Sequence, residues 1–355
     1  MREKFLQHLA CPTCLSDLVI KSVAQRRGEI LETAQLACQG CPAVYPVLNC
    51  IPRFVSNDNY ASGFGLEWTR HARTQYDNYT GLKLSETRFF EETRWPRNMP
   101  GEIVLEAGSG SGRFTEQVAS TGAVVVSMDY SYAVEANYAS NGTRENVLIV
   151  QADIYAMPFR SGYFDKVFCF GVLQHTPNVR RAFLALPPML KPGGELVVDV
   201  YKKTFFRTCL ATKYYARKLT RNMRPAQLYQ LTRRWVDFVW PISLLLSRIP
   251  RIGPILNWRL LIPDYSVVGL RGNILKEWAY LDIFDMLAPC YDSPQTINTL
   301  QKWFQEAGMA DVVVHYGYNG IEGRGKRALP VKEKAIATHQ EALKLQRTSQ
   351  KAAGF

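Results

Sequence analysis

The chain has 355 residues, 47% hydrophobic and 21% charged, which suits one full domain with smaller pieces attached and excludes a fibrous or disordered protein. Eight cysteines over this length are no secreted disulfide scaffold, and residues 1–10, short, charged and interrupted by polar groups, lack a signal-peptide pattern, so a cytoplasmic location is expected. The net charge of +12 is local: residues 201–260 carry thirteen Lys and Arg against one acid, Asp237, and the remainder is neutral, which predicts one segment facing an anionic partner.

Two C-x-x-C pairs open the chain, CPTC at 11–14 and CQGC at 38–41, twenty-three residues apart. Each such turn supplies two soft ligands, so the pairs together can close a tetrahedral zinc site. Disulfide bonding ranks behind it for a chain expected in the cytoplasm, and redox catalysis further behind, because no thioredoxin-like βαβ pattern surrounds either pair. Structural Zn2+ on Cys11, Cys14, Cys38 and Cys41 is therefore expected, with strand-like stretches at 17–21, 29–36 and 44–47. Residues 5–54, through their CPxC, CxxC, YPV and IPRF pieces, resemble the zinc-ribbon proteins that activate tRNA and rRNA methyltransferases. Cys50 stands where that family usually carries glycine and reads as a packing residue. A closed four-cysteine site leaves no open position for chemistry; its expected role is to fold a segment with little core of its own.

Residues 56–59 (SNDN) read as a linker, and 85–95 as a helix. Between them Trp68, Gln75 and Tyr76 are candidates to line a ligand site; the competing reading is that Phe64 and Trp68 bury against a sheet.

The most informative stretch is residues 103–114, IVLEAGSGSGRF. A short apolar run suits a buried parallel strand. After Glu106, Gly108, Gly110 and Gly112 alternate with small residues before a helix begins. Such a bend needs positive φ and close backbone approach to a ligand. Dinucleotide sites use G-x-G-x-x-G; here the third glycine comes one residue early, and a strand-end carboxylate suits an ammonium better than a phosphate. Further strands follow at 124–129 and 147–154, each carrying an acid at its end, Asp129 and Asp153, and at 164–171 and 195–200. An acid at the end of the second strand can accept ribose hydroxyls. The E-x-G-x-G-x-G run with these strands resembles class I S-adenosylmethionine-dependent methyltransferases, over roughly residues 100–200. The resemblance implies a seven-stranded Rossmann-like α/β fold. It also implies S-adenosyl-L-methionine contacts at Glu106, Gly108, Gly110, Gly112, Asp129, Tyr130, Asp153, Ile154 and Gly171, with Asp153 facing the adenine amino group.

Residues 202–289 are too long for a plain connection. Basic and aromatic residues interleave there, then residues 235–246 turn strongly apolar, interrupted by Asp237 and Pro241. That run is too short to span a bilayer. A helical cap or homodimer contact leads, membrane-surface contact follows, and nucleic acid comes last. Pro250, Gly253, Pro254 and Pro263 should break the segment into short helices. Residues 293–296 should cap a helix, 312–316 form a sixth strand, and 321–327 lead into a seventh. The expected division is a zinc ribbon at 1–55, linker and covering helices at 56–100, a core at 101–201 plus 290–330, the cap at 202–289 and a tail at 331–355.

For chemistry, His175 is the leading candidate base, Gln174 could orient an acceptor, and Tyr201 and Asp199 stand in reserve, with Tyr291 and Asp292 weaker. A capping or satisfied loop histidine is the competing reading of His175. Residues 171–174 (GVLQ) replace the (D/N)PP(Y/F) pattern of enzymes acting on exocyclic base amines, and Cys169 lies inside a strand, away from any Pro-Cys nucleophile. What remains resembles the type 11 small-molecule methyltransferases. The expectation is methyl transfer to a small-molecule or lipid- or carrier-linked acceptor, with an RNA base methyltransferase and a non-catalytic cofactor-binding subunit as alternatives.

Overall fold

The computed structural model describes residues 1–56, 59–204 and 211–329. The linker residues Asn57 and Asp58, Arg207 of the basic segment and the tail 331–355 lie outside the described residues.

An antiparallel sheet in the order β1-β2-β3-β4 comes first: β1 Leu18–Arg27, β2 Ile30–Cys38, β3 Val44–Leu48 and β4 Ile51–Pro52. The cysteine pairs lie before β1 and around the end of β2. Three helices follow, α1 Ser62–Arg70, α2 Asp77–Thr80 and α3 Leu84–Thr93. The second sheet has seven strands: β5 Ile103–Ala107, β6 Val124–Asp129, β7 Val147–Gln151, β8 Phe164–Cys169, β9 Leu190–Val200, β10 Met309–Gly317 and β11 Gly320–Arg327. Their order is β10-β11-β9-β8-β5-β6-β7. β5 to β9 pair in parallel, whereas β11 is antiparallel to both neighbours. The parallel strands are predominantly apolar because both faces are covered. On one face Phe89 of α3 meets Phe114, Phe168 and Phe170 edge-on or tilted, at centroid distances of 5.4–6.5 Å. The chain runs from β5 through β6 to β7 and returns to place β8 on the other side of β5. That reversal leaves a crevice at the carboxyl ends of β5 and β8, where open α/β sheets bind ligands.

Helices α4 Arg113–Ala119, α5 Val134–Asn141 and α6 Val179–Ala185 connect the parallel strands. After β9 come α7 Thr212–Thr220, α8 Pro225–Leu246, α9 Gly253–Arg259 and α10 Gly272–Leu287, then α11 Ile297–Glu306 before the final hairpin. Thr296 caps α11, its Oγ1 accepting from the Thr299 amide at 3.2 Å. In the insertion Pro250 and Pro263 fall between helices and Gly253 and Pro254 open α9, as expected, but α8 and α10 are long. Pro241 sits inside the 22-residue α8, where a proline costs one backbone bond. The buried stripe of Leu228, Thr232, Val236, Val239 and Ser243 runs past Pro241 and offsets that loss. Among the described residues, no helix is long and apolar enough to cross a membrane.

The N-terminal sheet docks against the β7 edge. Arg53 forms a parallel bridge with Gln151, its Nη1 donates to Gln151 Oε1 at 2.8 Å, and the Phe54 amide donates to Gln151 O at 2.9 Å. The Ala10 amide donates to Pro158 O at 2.8 Å.

Candidate active site

A cavity of about 700 Å³ lies over the carboxyl ends of β5, β6, β8 and β9. Its floor is the bend after β5. Gly108, Gly110 and Gly112 all have positive φ, at 89°, 52° and 89°. A Cβ on Gly108 would meet Val172 at 2.2 Å, and one on Gly112 would meet Asn137 Oδ1 at 2.1 Å. Glycine is thus required twice over, by conformation and by space. Trp68 of α1 packs over the bend, its Nε1 3.0 Å from where a Gly110 Cβ would sit. Trp68, Phe64 and Gln75 all line the cavity; Tyr76 instead supports the bend from below, donating to Ser111 O at 2.7 Å.

Asp129 lines the wall beside the bend. Its Oδ2 accepts from the Gly110 amide at 2.9 Å, and Oδ1 from the Ser131 amide at 2.8 Å and hydroxyl at 2.7 Å. Burial pushes its carboxyl up, and these donors pull the other way. Tyr130, Ile154 and Gly171 also reach the cavity, and the Gly171 amide donates to Asp199 Oδ1 at 2.6 Å.

Four expected site residues stand off the wall. Glu106 is buried and aimed beneath the bend, accepting from Ser127 Oγ at 2.8 Å and from Thr115 Oγ1. Burial raises it to about 7. Among the described residues its donors are the internal hydroxyls of Thr115 and Ser127, through which it ties β5 to α4 and β6. Gly112 is the N-cap of α4, packed on Asn137. Asp153 caps its own turn, accepting from the Tyr155 amide at 2.9 Å, while its neighbours Ala152 and Ile154 line the cavity. Gln174 is fully buried with both amide atoms unpartnered and does not line the cavity.

His175 is 5% exposed and lines the cavity. Its Nδ1 lies 3.0 Å from Tyr291 O. A carbonyl only accepts, so Nδ1 carries the proton and Nε2 the lone pair. Nε2 is buried without a partner. The ring packs edge-on against Tyr201 at 5.3 Å and tilted against Phe64 at 5.2 Å. Tyr201 donates to Asp285 Oδ2 at 3.2 Å, and burial drives its phenol well above the usual range. Asp199 is fully buried in an ion pair with Arg88, whose Nε also donates to Glu92 at 2.5 Å. Asp292 pairs with Lys213 at 2.7 Å. Neither lines the cavity.

The roof holds residues that sequence reasoning missed. Glu67 of α1 and Asp282 and Asp285 of α10 line the cavity, with Arg113 and Tyr265. Glu67 is fully buried with both carboxylate oxygens unpartnered; burial, then the charges of Asp285 and Asp282, hold it well above the usual carboxylate range. Asp282 rises to about 7, by burial first. Arg113 is lowered to about 10 for the same reason. The available signal was the pair Asp282 and Asp285, acids set into an otherwise apolar run at 278–287.

Away from the cavity, the sulfurs of Cys11, Cys14, Cys38 and Cys41 lie within 4.8 Å of one another. Cys11 and Cys41 are 3.7 Å apart, Cys14 and Cys38 3.3 Å, and the Gly40 amide donates to Cys38 Sγ at 3.3 Å. Tetrahedral zinc sets sulfurs about 3.8 Å apart, so the cluster has the right size. Cys50 is buried with φ 66°, outside the cluster.

The likeness to known proteins falls on this central region. The ubiquinone biosynthesis O-methyltransferase of Xanthomonas oryzae pv. oryzae is 28% identical over 153 residues, 41% of this chain and 60% of that protein. The demethylmenaquinone methyltransferase of Renibacterium salmoninarum is 30% identical over 148 residues, 39% and 59%. The chain thus spans about three-fifths of the curated relatives it matches. An O-methyltransferase family protein from Burkholderia thailandensis aligns in structure at 12% identity and a TM-score of 0.43, over 76% of this chain and 63% of that one. Residues 105–198, from β5 to β9, match the family described as a methyltransferase domain.

Proposed function

We propose that the chain is an S-adenosylmethionine-dependent methyltransferase acting on a small-molecule or lipid- or carrier-linked acceptor. The observation that carries this is one cavity joining the glycine bend and Asp129 to a histidine with a free, correctly tautomerised Nε2. The residues fit the cofactor: the bend has no room for side chains, and the carboxylate at the end of β6 can accept further bonds from ribose hydroxyls. When bound, S-adenosylmethionine supplies an electrophilic methyl group.

The protein's part is alignment and proton handling. Asp129, Tyr130, Ile154, Gly108, Gly110 and Gly171 would hold the nucleoside and its tail. Glu106, Gly112 and Asp153 shape the turns that present them. His175 Nε2 would accept the proton from an acceptor hydroxyl, the Tyr291 carbonyl holding the ring. Tyr201, oriented by Asp285, would position the acceptor. Calorimetry with S-adenosylhomocysteine tests the cofactor half, and transfer of labelled methyl into lipid, RNA, protein and small-molecule fractions of extract tests the acceptor half. No uptake of S-adenosylhomocysteine would overturn the reading.

The four-cysteine cluster would hold structural Zn2+, with every ligand position taken by thiolate. Support comes from donor chemistry and mutual spacing.

A further inference from the structure

Helix α8 carries two apolar stripes, and only one is covered. Leu228, Thr232, Val236, Val239 and Ser243 face inward, where Leu228, Val236 and Val239 cluster with Ile283 and Phe284 of α10. Leu231, Trp235, Phe238, Ile242 and Leu245 are all exposed, Phe238 by 73% and Leu245 by 60%. Their spacing of four, three, four and three residues puts them on a single face. The patch continues onto α9: the Trp235 indole donates to Leu260 O, at the end of that helix, at 2.9 Å, and Ile252 and Ile255, at its start, are 59% and 63% exposed. Trp258, on the same short helix, is exposed and also lines the cavity, so the ridge reaches the cavity rim.

The charge around this ridge is one-sided. Arg221, Arg224, Arg234, Arg248 and Arg251 are exposed on α8 and its flanks. The single carboxylate of residues 201–260, Asp237, is already paired with Lys276 at 2.6 Å and accepts from the Tyr280 hydroxyl at 2.5 Å. A row of Trp, Phe, Leu and Ile bordered by exposed arginines that have no ion pair among the described residues fits the acyl–headgroup boundary of an anionic bilayer. A second copy fits less well, since a two-fold contact through this face would set the same arginines against one another.

We propose that the exposed face of α8, continued by α9, docks the protein on the surface of phospholipid bilayers bearing anionic headgroups, with the cavity rim at the lipid boundary. The ridge inserts its aromatic and aliphatic side chains, and the arginines hold lipid phosphates. The inference does not depend on the reaction run in the cavity.

The test is cosedimentation of the full chain with phosphatidylcholine vesicles made with and without phosphatidylglycerol. Pelleting is expected with the anionic vesicles alone and should weaken as salt rises. The double variant Phe238→Asp/Leu245→Asp should bind roughly tenfold or more weakly, as expected for withdrawing large apolar groups from the interface. Arg234→Glu/Arg248→Glu should lose binding with the ridge intact. Circular dichroism and melting curves establish that each variant is folded; should the ridge variant not fold, the arginine variant and the lipid dependence still decide. Equal pelleting with neutral vesicles, none with either, or folded variants that bind like the parent would overturn the proposal. So would tighter binding to bulk tRNA than to vesicles, or a solution dimer that Phe238→Asp converts to monomer.

Discussion

At the scale of single residues, the cavity separates groups that touch a ligand from groups that hold others in place. Asp129 has spare acceptor capacity at the wall, so Asp129→Ala should weaken S-adenosylhomocysteine by about tenfold or more in calorimetry, the worth of a charge-assisted hydrogen bond. His175→Ala should leave that affinity near the parent's while methyl transfer to a hydroxyl acceptor drops by about 10²–10⁴, the usual contribution of a positioned base. The split between binding and turnover separates a proton acceptor from a packing ring. Asp282 supplies a pH signature. Burial lifts its folded value from 3.8 to about 7, so the folded state keeps a proton that the unfolded chain releases. Its contribution to stability is full below the lower value and lost as pH rises through the window to about 7. Asp282→Asn should flatten that decline in a plot of Tm against pH. An unchanged slope would mean that the carboxyl is already satisfied.

Elements are held by a few buried polar ties that apolar packing could not supply. Arg88 on α3 reaches Glu92 one turn on and Asp199 on β9, and Asp199 in turn receives the Gly171 amide. Both acids are almost wholly buried. Arg88→Ala would strand two carboxylates, so a loss of about 3–5 kcal/mol is expected in denaturant unfolding. The bend after β5 is equally intolerant. Gly112→Ala combines φ 89° with a 2.1 Å approach to Asn137 Oδ1; it should cost about 1–3 kcal/mol and weaken cofactor uptake with it. The same hydroxyl–amide network of Thr115, Ser127 and Asn137 explains the burial of Glu106. At the end of β5, this carboxylate is held by hydroxyls of α4 and β6. The interior proline of α8 shows the converse: packing along one buried stripe carries a helix through a residue that local propensity would use to stop it.

The whole molecule is two sheets joined at an edge, with helices closing the open end of the larger one. Arg53, Phe54 and Ala10 bind the small sheet to the β7 side, and its residues share a continuous core with the large one. Stripping metal from the four cysteines with a chelator should therefore lower the Tm of one shared transition, rather than melt the N-terminal sheet alone. Metal analysis should return one zinc per chain before chelation and none after. A Tm indifferent to the chelator would show that the thiols fold unaided.

What could be read directly was whatever a short stretch of backbone dictates. The glycine bend at 108–112, the acid ending β6, the parallel strands and the paired cysteines each follow from local conformation or from ligand spacing, so their residues announce them. Direction was not legible in that way. Glu106 and Gln174 sit beside cavity-lining residues in the sequence, yet neither lines the cavity: Glu106 accepts from hydroxyls of α4 and β6, and Gln174 is fully buried. Glu67, Asp282 and Asp285 meet only because α1 and α10, more than two hundred residues apart, close over the same cavity. Likewise the basic, apolar segment was evident as composition, but which stripe of α8 would be buried depended on where α10 packed. Periodicity marks both faces alike; only a neighbour in space decides which one stays in water.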